Sequence, residues 1–448
     1  MTFDYRAAFN SVSRNFDSSV IPTLIEYIKI PNKSPAYNGG KWDEPETDEV
    51  IDLFVNWVNR QAMPNIEVGV RRITGRTPVI YIEIPASESY SDKKDTVLLY
   101  GHLDKQPPFE GWEDGLGPYT PVIKDGKLYG RGGADDGYAL FGAIEAVKAL
   151  HEQSVSHGRY VILIEACEES GSPDLPTHVA ALIDEEKLAN VSLVVCLDSG
   201  CGSYDTLWIT TGIRGVLMTN LTVTTLREGV HSGNGGGICA DSFRVVRQLL
   251  SAIEDEKTGK MVDDFQVTIP DDRLQQNIST AELLGDELWK GFPLINDCPM
   301  DQTCPVSELG LNRGWRASLT VTGIDGMPSC ANGGNVLRPS TTVKLSIRLP
   351  PTLDHTTAFD KLKTLMENVP HPHARLEFSK PVTGKGWNSP IFEPWMDSVF
   401  KNVSKALFHK DPGFVFEGGS IPFLGMLNDI FPSAQLYAYF FLSAYAFF

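Results

Sequence analysis

Three apolar runs in this chain finish on side chains that can hold a metal ion. TVLLYGHLD ends with His102 and Asp104, YVILIEACEE with Glu168 and Glu169, and SLVVCLD with Asp198. A fourth carboxylate, Asp135 in GRGGADDG, stands just ahead of a helical pattern. Each has an ordinary explanation when taken singly. A histidine after a strand is more often structural, an acid at a strand end more often caps a helix, and paired glutamates are usually solvated. Gathered at one end of one sheet, however, carboxylates repel each other, and a divalent cation is the usual remedy. One imidazole among several carboxylates suits Zn²⁺, Mn²⁺ or Co²⁺ and suits Ca²⁺ poorly. A carboxylate shared between two ions would make a two-metal site with the ions about 3.5–4 Å apart. Successive side chains of an extended segment point opposite ways. One of the adjacent pair Glu168 and Glu169 can therefore hold metal while the other serves as general base. Its partner would be a water whose pKa the metal brings to about 7. Asp104, two residues after His102, can orient that imidazole. The glycines of YGRGGADDG leave room for close backbone approach.

The elements that must position these residues can be read from hydrophobic periodicity. PVIYIEIP, DTVLLYGHLD, RYVILIEACEE and NVSLVVCLDSG are near-continuous apolar strands. Between them lie helical stretches such as DLFVNWVNRQA and DDGYALFGAIEAVKALHEQ. The second of these sets Phe141, Ile144, Val147 and Leu150 on one stripe. This alternation predicts an α/β fold, a mixed sheet covered by helices on both faces. Ligands bind such sheets at the carboxyl ends of the strands. The texture changes near Trp208. ITTGIRGVLMTNLTVTT, RASLTVTGID and TTVKLSIRLPP alternate apolar and polar residues, with the amphipathic helix TTAFDKLKTLMENV among them. The expected organisation is a catalytic domain over residues 1–209 and 384–448, with an inserted α+β lid over 210–383.

Composition narrows the function classes. The net charge is −18, and no Lys/Arg cluster offers itself to phosphates, so no nucleic-acid partner is expected. No stretch reaches the roughly 18 apolar residues that a spanning helix needs, and the amino terminus lacks a signal-peptide pattern. The seven cysteines contain no C-x-x-C pair and fit reduced thiols in a cytoplasmic protein.

In this order, GHLD, GRGGADD, EACEESGSPD, LDSG, GVHSG and EGGSIP resemble the dinuclear metallopeptidases of the carnosinase and cytosolic nonspecific dipeptidase branch. Bacterial glutamate carboxypeptidase and aminoacylase are more distant relatives of that group. The resemblance runs from about residue 10 to about residue 435 and implies a catalytic α/β domain with an inserted dimerisation lid. It implies two divalent ions, Zn²⁺ or Mn²⁺, with His102 and Asp198 on one, Glu169 on the other and Asp135 bridging through a cis peptide to Asp136. Glu168 would be the general base and Asp104 the support of His102. His231 in GVHSG would stabilise the oxyanion, usually across a homodimer. Arg348 and Asn335 would grip the substrate carboxylate, and Gly418, Gly419 and Ser420 would line the cleft. The implied activity is hydrolysis of dipeptides or short peptides. The alternatives are an N-acyl amino-acid deacylase with the same site and a catalytically impaired family member.

Three departures qualify this. Lys105 replaces a usual Val, and Gly137 stands where many dipeptidases have Lys, changes expected to blur substrate choice. The family has a further ligand His downstream of EGGSIP, whereas the last His here is His409. After about residue 435 the chain reads LYAYFFLSAYAFF, taken as an ending foreign to the family that weakens the second metal site. The other reading of that tail is a substitute for the final core strand, which its Tyr and Phe content permits.

Overall fold

The computed structural model describes residues 3–41, 45–295, 304–371, 373–419 and 421–439. The chain divides into two compact units. The described residues of the first fall within Met1–Thr211, Ser389–Val415 and Met426–Phe448, and those of the second within Gly212–Asn388 and Phe416–Gly425.

A mixed sheet forms the centre of the first unit. Its strands run in the order Glu67–Arg71, Val79–Ile84, Arg159–Glu165, Thr96–His102, Val191–Cys196, Gln435–Ala438 and Trp208–Ile213. The Thr96–His102 strand lies parallel to both neighbours, with His102 opposite Glu165 and Tyr100 opposite Cys196. That register brings the three acid-bearing strand ends to the same edge of the sheet. Leu98, Tyr100, Val161, Ile162, Leu163 and Ile164 are all fully buried, as strands covered on both faces require. The helices Ile21–Lys29, Pro45–Arg60 and Ala139–Glu152 contribute to this core. Phe141 packs edge-on against Phe54 at 5.1 Å and Trp57 at 4.7 Å. Of the expected stripe, Phe141, Ile144 and Val147 are buried and Leu150 is half-buried.

Gln435–Ala438 corrects the reading of the tail. It pairs in parallel with Val191–Cys196, and the Tyr439 amide donates to the Cys196 carbonyl at 2.8 Å. Leu436 and Ala438 are buried. The opening of the aromatic tail is thus a core strand, because alternating apolar side chains can fill both covered faces. Residues 440–448 lie outside the described residues.

The second unit holds an antiparallel sheet in the order Ser318–Asp325, Ser340–Leu349, Gly215–Thr224, Arg375–Gly384. Helices Ser242–Ser251 and His355–Glu367 share a core with it that includes Leu217, Leu221, Val245, Leu345, Ile347 and Leu362. Residues 416–425, expected with the catalytic region, group here instead. Phe416 packs on Trp315 with ring centroids 5.9 Å apart, and Glu417 pairs with Arg313 at 3.1 Å. Among the described residues no helix is long and apolar enough to cross a membrane.

Candidate metal centre

The Thr96–His102 strand delivers a wholly buried imidazole. Its Nε2 lies 3.1 Å from Asp135 Oδ1, 3.9 Å from Asp198 Oδ2 and 4.0 Å from Glu168 Oε2. Its Nδ1 is 3.1 Å from the Asp104 carbonyl and 3.4 Å from the Asp104 carboxylate. Two sets of ligand atoms lie within 4.8 Å of one another: His102 with Asp135 and Asp198, and His102 with Glu168 and Glu169. Three strand ends and the turn before helix Ala139–Glu152 thus bring together His102, Asp135, Glu169 and Asp198.

Backbone bonds fix this arrangement. Asp104 receives the Glu168 amide on one carboxylate oxygen and the Glu169 amide on the other, each at 3.1 Å. The Asp136 carboxylate accepts the His102 amide at 3.1 Å. The Asp135–Asp136 peptide is cis. Gln106 donates its side-chain amide to Glu169 Oε2, whereas Glu169 Oε1 is buried without a hydrogen-bond partner. A bare buried carboxylate oxygen beside an imidazole and three further carboxylates is a donor atom suited to a cation.

The electrostatics fit the same view. Burial pushes the Glu168 carboxyl well above its ordinary range, and Asp198 adds to the rise. Burial and the nearby Asp135 push Glu169 to about 9. His102 is raised despite its burial, because Asp104 and Asp135 favour its charged form. A divalent ion reverses this logic by stabilising the ionised carboxylates.

The second unit carries the residues expected to meet substrate. His231 is exposed, and its Nδ1 accepts the Gly233 amide at 3.1 Å. Neutral imidazole bonded in this way carries its proton on Nε2 and can donate from there. The His231 segment pairs with Val336–Leu337, and the Ser232 amide donates to the Asn335 carbonyl at 2.9 Å. Arg348 is half-buried on the Ser340–Leu349 strand, and burial lowers its pKa. Gly418 approaches Arg214 so closely that an added Cβ would lie 3.0 Å from Nη2. Gly419 is exposed, and Ser420 lies outside the described residues.

Peptidase family M20/M25/M40 matches residues 98–387. The chain belongs to this family. Its sequence is similar to the Cys-Gly metallodipeptidase dug1 of Schizosaccharomyces pombe, 26% identical over 84% of this chain and 80% of that protein. It is likewise similar to the Beta-Ala-His dipeptidase of Homo sapiens, 27% identical over 79% of this chain and 69% of the relative. The structure of human carnosine dipeptidase 1 superposes with a TM-score of 0.71 at 22% identity, covering 97% of this chain and 92% of that one. The fold is therefore that of the M20 peptidases, and the chain is a metallopeptidase-class hydrolase.

Some supporting residues of this M20 peptidase escaped the sequence reading. Glu165 is fully buried below the acidic turn and accepts from Tyr100 Oη, from Ser172 Oγ at 2.8 Å and from Cys167 Sγ at 3.3 Å. It therefore ties the His102 strand to the turn bearing Glu168 and Glu169. Gln106 was missed as well; its place two residues beyond Asp104 was the available signal. Lys105 needs correcting. It is fully buried and donates to the carbonyls of Tyr27 at 2.7 Å and Ile30 at 2.6 Å. Spent on the end of helix Ile21–Lys29, and with its pKa pushed down to about 6 by burial, its amino group is not available to choose a substrate.

Proposed function

We propose that this M20 peptidase hydrolyses dipeptides or short peptides with two divalent ions, Zn²⁺ or Mn²⁺, held by His102, Asp135, Glu169 and Asp198. The observation that carries this is the pair of ligand sets sharing His102, each within 4.8 Å. The named relatives act as dipeptidases, which supports a small peptide substrate. Bound ions would supply the positive charge that acidifies a water and polarises the scissile carbonyl.

The remaining work falls to this chain's own groups. Glu168 takes the proton from the attacking water and returns it to the departing amine. Asp104 keeps His102 and the two glutamates in register. Arg348, with Asn335, holds the substrate's terminal carboxylate through its planar guanidinium. His231 donates from Nε2 to the developing oxyanion. We infer that a second copy of the chain receives that donation, since His231 stands exposed on the inserted lid. The edge strand Ser318–Asp325, with exposed Val321 and Ile324, supports pairing between copies. A cytoplasmic setting accords with the free cysteines among the described residues.

The test is turnover of Xaa–Xaa dipeptides and of N-acetyl amino acids by purified protein loaded with Zn²⁺ or Mn²⁺. Metal content is measured by mass spectrometry in parallel. Dipeptide turnover with two ions per chain is expected. Turnover of N-acetyl substrates alone would assign a deacylase. Fewer than two ions without turnover would assign an impaired family member.

A further inference from the structure

A hollow of ≈ 380 Å³ opens within the second unit. Leu288 and Trp289, on the short helix Glu287–Lys290, line it together with Phe292 and Leu294 just beyond. Leu309, on helix Val306–Gly314, adds to the same wall. Phe292 and Leu294 are left 45% and 42% exposed. Large apolar side chains gathered around one opening are stabilised when an apolar guest removes them from water.

The polar end of the hollow indicates where that guest comes from. Arg214, Asn312, Arg313 and Ser318 complete the lining. Arg214 is 8% exposed. Its Nη1 donates to the Asn312 and Arg316 carbonyls at 3.2 Å each and to Ser318 Oγ at 3.0 Å. Ser318 stands directly opposite Arg348 in their antiparallel pair. Side chains so opposed leave the same face of the sheet, with Cβ atoms about 4.5–5.5 Å apart. On its other side, the Arg214 amide donates to the Glu417 carbonyl at 3.1 Å, and a Cβ added to Gly418 would lie 3.0 Å from Arg214 Nη2. Arg214 therefore joins the neighbour of Arg348 to the turn bearing Gly418, both of them parts of the site proposed above for substrate.

A terminal carboxylate and the side chain beside it leave one Cα, so a carboxylate held at Arg348 brings that side chain to the Ser318 end of the hollow. We propose that the hollow takes the side chain of the substrate's carboxyl-terminal residue and favours a large apolar or aromatic one there. The proposal rests on Arg348 holding the terminal carboxylate. The volume lies at the low end of the roughly 300–1,000 Å³ typical of small-molecule pockets, room for one side chain rather than a longer peptide. Charge selects as well. Arg313 pairs with Glu417 at 3.1 Å. Burial, with Arg348 and Arg313 adding to the fall, lowers the Arg214 pKa to about 10, and Glu417 alone opposes them. Guanidiniums outnumber carboxylates at this end, so a lysine or arginine side chain is repelled.

Ala-Gly, Ala-Lys, Ala-Leu and Ala-Phe are compared as substrates of the full-length, metal-loaded protein. The same four are titrated by calorimetry into its Glu168→Gln variant, which reads binding apart from turnover. Ala-Leu and Ala-Phe should exceed Ala-Gly at least tenfold in kcat/KM and in affinity, the scale on which an apolar pocket sorts its guests. Ala-Lys should do no better than Ala-Gly. Trp289→Ala and Phe292→Ser should bring the ratio of Ala-Phe to Ala-Gly toward one, through KM rather than kcat. Phe292 is already partly exposed, so its variant decides the matter should Trp289→Ala fail to fold. Preferential binding of Ala-Phe without any turnover would uphold the pocket and overturn the hydrolysis. Equal handling of Ala-Gly and Ala-Phe, or a preference that survives Phe292→Ser, would overturn the pocket. Binding of none of the four would overturn both.

Discussion

Asp104 holds His102 twice through one nitrogen: its carbonyl is 3.1 Å and its carboxylate 3.4 Å from Nδ1. The same carboxylate receives the amides of Glu168 and Glu169. One side chain thus sets an imidazole and two carboxylates relative to one another. Asp104→Asn turns an N–H group toward one of those amides. Metal affinity and kcat should each fall roughly 10–100-fold, the usual cost of losing a partner behind a ligand. Calorimetric metal titration and steady-state kinetics measure the two losses.

Glu168→Gln removes the proton acceptor and leaves the ligands in place. The expected result is a fall in kcat of roughly 10²–10⁴ with little change in KM or metal content. Loss of metal in step with loss of rate would assign Glu168 to the ligands.

The exposed His231 allows a mixing experiment. Neither His231→Ala nor Glu168→Gln should turn over substrate well alone. If His231 acts across a two-fold dimer, subunit exchange between the variants makes hybrids with one complete site. About a quarter of wild-type activity should then return, because half the dimers are hybrids and half their sites are whole. No recovery after exchange would place His231 with its own subunit's site.

Glu165 predicts a stability slope. Burial raises its pKa from 4.5 to about 7. Between these values the folded state holds a proton that the unfolded state has released, so stability falls as pH rises. The wild type should lose up to roughly 3 kcal/mol relative to Glu165→Gln between pH about 4.5 and about 7. Thermal melts with chelator at several pH values follow the difference; parallel curves would show that Glu165 is not the group responsible.

Lys105→Met strips the donor from the Tyr27 and Ile30 carbonyls. The Tyr27 carbonyl keeps the Ile30 amide at 3.1 Å, but the Ile30 carbonyl is left bare at a cost of about 1–3 kcal/mol, so the variant should melt lower. Its KM for dipeptides should be unchanged, since the Lys105 amino group is buried against the Tyr27 and Ile30 carbonyls.

Much of the metal centre was legible because apolar strands announce themselves and their last residues must emerge at the sheet edge. His102, Glu168, Glu169 and Asp198 follow from that logic alone. The supports were harder to read. A lysine one residue past Asp104 looks solvated in a sequence, and only packing shows it lying over the Tyr27 ring at 3.8 Å. Gly137 explains the companion departure: a Cβ there would sit 2.2 Å from Tyr27 Cε1. Two substitutions that looked like separate changes of specificity therefore meet at one buried tyrosine. Glu165 drew no notice in the sequence, because nothing local reveals the three donors that converge on it. The grouping of residues 416–425 was hidden for a similar reason, as Phe416 and Trp315 are distant in sequence.

The sheet order carries a consequence for how the chain is made. Gln435–Ala438 lies between Val191–Cys196 and Trp208–Ile213, yet leaves the ribosome long after both. Until then the apolar edge of Val191–Cys196 waits without its parallel neighbour. An unpaired edge of that kind can recruit strands from other nascent chains. Slow translation of the inserted segment would lengthen that exposure, so the yield of native protein should depend on how quickly the ribosome reaches Gln435.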